Sequence, residues 1–197
     1  MCLLFETIKL ENRQLQNLDY HNERLNRSRF ELFGSKEELR IEDSVILPSN
    51  LTNQIYKCRV VYKEDIQKIE IELYNKRKIE KLILVDSNID YSYKYFDRRF
   101  IETLTTALKP REDILIIKNG FVTDTSFANV CFWDGQKWIT PDTPLLRGTK
   151  RKKLLDEKKI YEKTIRKEDI VNFEKVSLIN GMLDLGEVTL SIGHVLY

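Results

Sequence analysis

The sequence is poor in the residues that build metal centres and disulfide frameworks. Its 197 residues include three cysteines, at positions 2, 58 and 131, and only two histidines, His21 and His194. The cysteines are odd in number and widely spaced, so we expect neither a disulfide framework nor a zinc site with paired cysteines. With so few histidines no metal site is expected, and the chemistry must come from other side chains.

An excess of charge and a long apolar run are also lacking. Thirty-three basic residues nearly cancel thirty-one acidic ones, which leaves a net charge of +2. That balance gives no general reason to expect nucleic acid or an anionic membrane as a partner. No apolar run approaches the roughly 18 residues that cross a bilayer, and the first residues do not resemble a signal peptide. We therefore expect a cytoplasmic protein.

The chain does have enough apolar residues for a packed core. Hydrophobic residues make up 42% of it and aromatic residues 10%, which is too much for a disordered chain. Its length suits one large domain or two small lobes. From the alternation of strand-like and helix-like segments we predict an α/β fold with a small N-terminal lobe over residues 1–88 and a larger C-terminal lobe over 89–197.

The first lobe is predicted to combine two helices with four strands. Apolar Leu25, Phe30 and Phe33 recur at helical spacing within residues 20–33, and Gly34 after them suits a C-cap. Ser35, with Glu38 three residues later, forms a capping-box pattern that predicts a second helix over residues 35–41. Strand-like runs cover residues 5–10, 55–62, 66–73 and 81–85.

The second lobe is predicted to contain a β-meander and two helices. Asn119-Gly120 and Asp134-Gly135 are hairpin signals between apolar runs. One helix is predicted in the second half of residues 91–108, and another runs from Gly148 to about Lys159. The predicted strands cover residues 114–117, 121–125, 130–133, 138–140, 176–179 and 188–192.

Two side chains with unusual neighbours are candidates for chemistry. Lys94 lies among aromatic residues, which would lower its pKa and favour the nucleophilic amine; the alternative is a lysine that extends from an aromatic face to water. Asp124 lies among apolar strand residues and could pair with a buried cation. The alternative for Asp124 is an exposed strand or loop residue.

Two further features could bind phosphate. Gly148 opens a helix, where backbone N–H groups and the helix dipole favour anions; the alternative is an ordinary loop-to-helix junction. Arg24 can fork onto phosphate oxygens, and its alternative is a surface helix position. Together the four features match what pyridoxal 5'-phosphate needs: a Schiff-base lysine, a carboxylate at the pyridine nitrogen, and helix-end amides with an arginine for the phosphate.

The order and spacing of these features resemble the class IV aminotransferase family of fold type IV. The matching segments span nearly the whole chain. They are Phe5-Glu6-Thr7, His21-x-x-Arg24-Leu25, Lys94-x-x-x-Arg98, Gly120 to Asn129, Thr140-Pro141, Leu146-x-Gly148-Thr149-Lys150-Arg151 and Asn180-Gly181.

The resemblance implies a role for each matched residue. Lys94 would be the catalytic Schiff-base lysine, Arg24 a phosphate ligand and Asp124 the partner of the pyridine nitrogen, where glutamate is usual. Leu146 would pack on the ring, and Lys150 stands where threonine is usual. The complete set of implied cofactor-binding residues is Arg24, Lys94, Asp124, Asn129, Leu146, Gly148, Thr149, Lys150 and Asn180.

The resemblance also implies the architecture and the activity. The N-terminal lobe would be shortened, the C-terminal lobe barrel-like, the site between the lobes and the protein a homodimer. The leading function is a lyase that converts 4-amino-4-deoxychorismate, a small-molecule amino substrate, into 4-aminobenzoate and pyruvate. The alternatives are an aminotransferase of D- or branched-chain amino acids and a protein that binds pyridoxal phosphate without turnover.

Overall fold

Residues 2–196 are described by a computed structural model, and they form two compact units. The first unit runs to Lys76 and also includes residues 93–97. The second unit consists of residues 77–92 and of the chain from Arg98 onward. The fold is mixed α/β, as the sequence predicts, and each unit has its own β-sheet.

The division differs in detail from the boundary predicted at residues 88 and 89, and strand pairing explains the difference. The strand at residues 81–86 pairs in parallel with residues 112–117, so it belongs to the second unit. Tyr95 forms an isolated antiparallel bridge with Leu4, which ties the segment around it to the first unit. Hydrogen-bonded partners distant in sequence therefore override the linear boundary.

The first unit is built on a four-stranded antiparallel sheet with the order β2-β1-β3-β4. Apolar residues alternate along its strands, and the buried ones form one core that includes Ile8, Leu25 and Tyr62. This alternation is what a sheet with one covered face requires. The elements of this unit are β1 (Leu4–Glu11), β2 (Gln14–Leu15), α1 (Leu18–Phe33), β3 (Tyr56–Tyr62) and β4 (Ile66–Leu73).

Helix α1 confirms its predicted end but not its predicted apolar face. Gly34 has a φ of 72°, and its N–H donates to the carbonyls of Arg29 and Phe30, which is the geometry of a glycine C-cap. Leu25 is buried, whereas Phe30 is 58% exposed. Much of the buried surface of the helix is polar, so the apolar spacing identified the helix without identifying its packing face.

The predicted helix over residues 35–41 is wrong, because side chains of α1 hold this segment in another conformation. The Asn26 amide donates to the Leu39 carbonyl and accepts from the Leu39 N–H, both at 2.9 Å. Arg29 Nη1 donates to the Glu37 carbonyl at 2.7 Å. A capping box contributes about 1 kcal/mol, and these tertiary hydrogen bonds take the backbone groups a helix would use. A short 3-10 turn follows at Ile41–Asp43.

The second unit contains a nine-stranded mixed sheet. Its main path has the order β10-β9-β8-β7-β6-β5-β13, and β11 pairs with both β8 and β12. The elements are β5 (Lys81–Asp86), α2 (Arg99–Leu104), β6 (Glu112–Lys118), β7 (Phe121–Thr125), β8 (Asn129–Trp133), β9 (Trp138–Pro141), α3 (Thr149–Asp156), β10 (Ile160–Lys163), β11 (Lys175–Ile179), β12 (Thr189–Ser191) and β13 (Val195–Leu196).

The predicted meander is confirmed, and turn chemistry explains it. Consecutive strands from β6 to β9 pair antiparallel. Asn119 and Gly120 both have positive φ, 54° and 81°, as a type I′ hairpin turn requires. In the hairpin between β8 and β9 the Asp134 carboxylate accepts from the N–H groups of Gln136 and Lys137. Local residue choice therefore fixes the register of these strands.

Strand β8 is where three neighbours meet. Strand β11 pairs with it along its whole length, from Asn129 to Trp133. Its other edge therefore pairs with β7 at Asn129 and with β9 at Phe132 and Trp133. This arrangement places Asn129 beside the end of β7 and beside the end of β11.

Among residues 2–196, no helix is both long and apolar enough to cross a membrane.

The side chain of Asn26 is predicted to be the main restraint on residues 35–40. Replacing Asn26 with Ala removes four hydrogen bonds, two of them to the Leu39 backbone, and should lower the free energy of unfolding by about 1–3 kcal/mol. Urea unfolding measures the loss, and hydrogen exchange should show a less protected Leu39 amide. Asn53→Ala, at an exposed position, is the matched control. Unchanged protection at Leu39 would contradict the assignment.

Candidate functional site

Lys94 is attached to the first unit through β1. Its carbonyl accepts from the Phe5 N–H at 3.0 Å, and the Phe96 N–H donates to the Leu3 carbonyl at 2.9 Å. Because β3 pairs with residues 4–10 of β1 on one edge, the segment around Lys94 occupies the other edge near the start of β1. The Lys94 amine lies 4.6 Å from the centroid of the Phe5 ring. The aromatic ring that Lys94 contacts is thus that of Phe5, and the role of Lys94 stays a prediction.

A buried ionic network is centred on Glu6, which follows Phe5 in β1. Arg24 donates from Nε and Nη2 to the two oxygens of Glu6, at 2.9 and 2.5 Å. His21 Nδ1 lies 2.6 Å from Glu6 Oε2. The three side chains are between 0% and 8% exposed. The interpretation of Arg24 as a surface helix residue is thus excluded.

The protonation of this network follows from its charges. Burial alone would raise the pKa of Glu6, but the charge of Arg24 and the hydrogen bond from His21 lower it to about 2. Burial lowers the pKa of His21, and the charges of Arg24 and Lys94 lower it further against the opposing effect of Glu6. His21 is therefore neutral at pH 7 and donates its Nδ1 hydrogen to the carboxylate, which can only accept.

Asp124, in the second unit, is the other buried carboxylate with a defined set of donors. It is 5% exposed, so the alternative of an exposed strand or loop residue is wrong. Oδ1 accepts from the Asn129 amide at 2.8 Å, and Oδ2 accepts from the Leu146 N–H at 2.9 Å. Burial raises the pKa of Asp124 to about 6, although both hydrogen bonds and the charge of Arg151 oppose the rise. None of the described hydrogen-bond donors to this carboxylate carries a charge.

Asn129 joins Asp124 to the loop that precedes α3. The same Nδ2 group that donates to Asp124 donates to the Leu146 carbonyl at 2.9 Å. A Cβ built on Gly148 would collide with the Asn129 side chain, with Cγ at 3.2 Å and Oδ1 closer still. Glycine is therefore required at 148 by close packing, because φ is −69° there and imposes no demand of its own. The structure brings Asp124, Asn129, Leu146 and Gly148 together.

Helix α3 begins directly after this cluster. Gly148 precedes its first residue and supplies no side-chain cap. Thr149 and Lys150 are 4% and 6% exposed, and Leu154 packs with Cys131 and Ile179 of the sheet. Backbone N–H groups of the first turn have no partner within a helix. This end of α3 therefore has the chemistry of an anion site.

The two remaining predicted residues have mainly structural contacts. Leu146 is half-buried and is held through its backbone N–H and carbonyl. The Asn180 amide donates to the Phe127 carbonyl at 3.2 Å, and its oxygen accepts from the N–H groups of Met182 and Leu183. Asn180 therefore shapes the loop after β11. Its role as a cofactor ligand stays a prediction, as do the cofactor roles of the other residues.

Sequence reasoning missed several partners in these networks. Arg98 donates from Nη2 to the Ser126 carbonyl, so together with Asn180 it restrains the turn between β7 and β8. Glu6 was part of a motif, but its pairing with Arg24 was not predicted. Asp184 pairs with Lys150 across 34 positions, and no spacing signal in the sequence points to it.

Comparison with known proteins identifies relatives over most of the chain. The model of the family described as amino-transferase class IV matches residues 92–190. An uncharacterized protein of Haemophilus influenzae is 44% identical over 186 residues, which are 92% of this chain and 98% of that protein. A crystal structure from Haemophilus somnus 129PT, named "putative 4-amino-4-deoxychorismate lyase", is 32% identical with a TM-score of 0.80, over 94% of this chain and 98% of that one.

A second solved structure agrees in fold. It comes from Mesorhizobium loti, is named "putative amino-acid aminotransferase", and superposes with a TM-score of 0.83 over 97% of this chain and 99% of that one. At 20% identity it supports the fold alone. The predicted fold type is therefore confirmed by structures whose names differ in activity.

We predict that Gly148 and Asn129 are coupled. Gly148→Ala should lower the free energy of unfolding by about 1–3 kcal/mol, because the new methyl group overpacks against the Asn129 side chain. In an Asn129→Ala background the same change should cost clearly less, as a double-mutant cycle in urea would show. Gly193→Ala, whose Cβ would lie 4.0 Å from Ser191 Oγ, is the control. Equal costs in both backgrounds would refute the coupling.

The raised pKa of Asp124 gives a pH dependence with a defined sign. Between pH 4 and about 6 the folded protein keeps the Asp124 proton while the unfolded chain loses it, so stability should fall as pH rises. From an ordinary pKa of 3.8 to about 6, the loss is about 3 kcal/mol. Urea unfolding of cofactor-free protein should show it as the difference between wild type and Asp124→Asn.

Glu6 also makes the free energy of unfolding depend on pH, but with the opposite sign: its stabilisation is lost as pH falls from 4.5 to about 2. Because Glu6 is present in both proteins, its contribution cancels in the difference. Asp65→Asn, at an exposed turn, should give a difference that hardly varies across this pH range. A wild-type minus Asp124→Asn difference that is constant or rises with pH would show that folding does not raise the pKa of Asp124.

Proposed function

The chain belongs to the amino-transferase class IV family, and we propose that it is a pyridoxal 5'-phosphate-dependent lyase that converts 4-amino-4-deoxychorismate into 4-aminobenzoate and pyruvate. The observation that carries the proposal is the buried Asp124 carboxylate, held by Asn129 and Leu146 beside the start of α3. The product 4-aminobenzoate would serve folate biosynthesis.

The Asp124 site fits the pyridine ring of the cofactor by charge and by hydrogen-bonding capacity. An ionised carboxylate has about four acceptor positions on its two oxygens, and the donors from Asn129, Leu146 and the Leu145 backbone use no more than three of them. A buried carboxylate with a raised pKa gains most from a cation. A protonated ring nitrogen is such a cation, and Asp124 would keep the proton on it.

The start of α3 fits the phosphate of the cofactor. Its first turn contains no acidic side chain, and the N-cap residue Gly148 makes no side-chain cap hydrogen bond. The amides of Thr149 and Lys150 would hold the phosphate oxygens, with the helix dipole adding favourable charge. A phosphate contact by Arg24 would use guanidinium hydrogens other than the two that point at Glu6.

The cofactor, when bound, supplies an electron sink for the substrate carbon next to its amine. The protein residues then supply the proton transfers. Lys94 Nζ would take a proton from the substrate as general base and return one as general acid when pyruvate leaves. Asp124 would keep the ring nitrogen protonated throughout.

The lyase activity is favoured over an aminotransferase on two grounds. Lys94-x-x-x-Arg98 and Asn180 match the lyase form of the family motifs, and the Haemophilus somnus protein at 32% identity has a lyase name. An aminotransferase of D- or branched-chain amino acids would need a 2-oxo acid acceptor and would show ping-pong kinetics. A protein that binds the cofactor without turnover would do neither. The homodimer stays a prediction.

The proposal predicts pyruvate release that depends on Lys94. Purified protein with pyridoxal phosphate and 4-amino-4-deoxychorismate should release pyruvate, measured by a coupled dehydrogenase assay, without any added 2-oxo acid. Lys94→Ala should lower the rate at least 100-fold, because it removes the general base and acid. Lys36→Ala, at an exposed position of the same unit, should keep wild-type activity.

A second readout separates cofactor attachment from turnover. After borohydride reduction, peptide mass mapping should find the cofactor on Lys94 in wild type and on no peptide of the Lys94→Ala protein. Attachment without pyruvate release, but with amino-group transfer to a 2-oxo acid, would favour the aminotransferase. Absence of attachment in wild type with excess cofactor would exclude the proposed chemistry.

A further inference from the structure

The first turn of α3 carries two cations where helices normally carry anions. Lys150 and Arg151 are its second and third residues, and the turn has no acidic side chain. Positive charge at a helix N-terminus opposes the helix dipole, at a cost of about 0.3–1 kcal/mol for each exposed group. Both side chains are 7% exposed, so water relieves little of that cost. Two successive residues, Lys150 and Arg151, therefore have the charge that a helix N-terminus disfavours.

The two cations are neutralised in different ways. Arg151 Nη2 donates to the Glu162 carboxylate at 2.6 Å and to the Pro141 carbonyl at 2.7 Å, so it is held by the neighbouring strands β9 and β10. Lys150 Nζ donates to Asp184, in the loop that Asn180 shapes after β11. Of these two ion pairs, that of Lys150 connects the start of α3 to a loop, and that of Arg151 connects it to strands.

The Lys150–Asp184 pair is asymmetric in its access to water. The Lys150 side chain is 7% exposed and the Asp184 side chain 55% exposed. A carboxylate that is half in water loses little when its partner leaves, because solvent replaces the lost hydrogen bond. An almost fully buried ammonium needs an anion at all times. Another anion could therefore replace Asp184 at little cost, whereas Lys150 would stay buried and in need of an anion.

We propose that Lys150 is a direct ligand of the phosphate at the start of α3 and that Asp184 is its internal competitor, so that this pair sets the affinity for the phosphorylated cofactor. The inference rests on the proposed function. Without phosphate, Asp184 neutralises Lys150. When phosphate binds at the helix N-terminus, the ammonium turns to it and Asp184 becomes hydrated. The lysine thus replaces the hydroxyl contact that the threonine usual at this position would make.

A purely structural ion pair would have different consequences. It would attach the loop after β11 to α3, and removal of either partner would weaken folding and every ligand alike. The proposed competition makes the two partners act in opposite directions on phosphate binding. It also confines the effect to ligands that carry phosphate, and this selectivity is what the experiment must measure.

The experiment compares two ligands that differ only in the phosphate, pyridoxamine 5'-phosphate and pyridoxamine. Isothermal titration of cofactor-free protein gives a Kd for each ligand. The Kd of pyridoxamine divided by the Kd of pyridoxamine 5'-phosphate is the ratio that isolates the contribution of the phosphate. Lys150→Met should reduce this ratio about tenfold or more, because a charge-assisted hydrogen bond is lost. Asp184→Asn should raise it severalfold and keeps an acceptor for the buried ammonium.

The double variant Lys150→Met/Asp184→Asn should equal Lys150→Met alone, since Asp184 acts only through the lysine. Lys152→Met, at an exposed position of the same helix, is the control and should leave the ratio unchanged. The salt dependence of pyridoxamine 5'-phosphate binding should weaken in Lys150→Met. Circular dichroism and thermal unfolding establish that each variant is folded before titration.

The outcomes separate this inference from the proposed function. If wild type binds pyridoxamine 5'-phosphate and the ratio is the same in Lys150→Met or falls in Asp184→Asn, the competition is refuted and the proposed function stands. If wild type binds neither ligand, both are refuted. Opposite shifts in the two single variants, with no further change in the double variant, are the expected result.

Discussion

The hydrogen bonds of one amide, that of Asn129, hold together the residues of the candidate site that lie around Asp124 in the second unit. This side chain joins the end of β7, the start of β8 and the loop before α3 by donating to Asp124 and to the Leu146 carbonyl. Gly148 can pass close to it only because glycine has no Cβ. The position of the Asp124 carboxylate relative to the first amides of α3 is therefore set by a group that need not itself take part in chemistry.

Two buried carboxylates show how the surroundings determine what each can do. Glu6 has Arg24 and His21 as partners, and its pKa falls to about 2, so it stays ionised at every physiological pH. Asp124 has only neutral hydrogen-bond donors among its described partners, and its pKa rises to about 6. Glu6 is already satisfied by the protein, whereas Asp124 gains from a further cation. This difference is the physical basis for assigning a ligand to Asp124.

The sequence predicted the parts of the fold that local chemistry controls. The Asn-Gly hairpin, the glycine cap of α1 and the meander all follow from residues close in the chain, and all are confirmed. The helix over residues 35–41 failed because Asn26 and Arg29 reach it from another element. Asp124 and Asn129 are five residues apart across a tight turn, so local structure brings them together, although their hydrogen bond was not predicted from the sequence.

Interactions between distant segments were not predictable for the same reason. Lys150 and Asp184 meet only because β8 pairs with β11, which places the loop after β11 beside the start of α3. A sequence can show that Lys150 has the charge that a helix N-terminus disfavours. It cannot show which anion neutralises that charge in the folded protein. The folded chain supplies one such anion, half exposed and replaceable, and departures from local rules of this kind are expected where a ligand completes the structure.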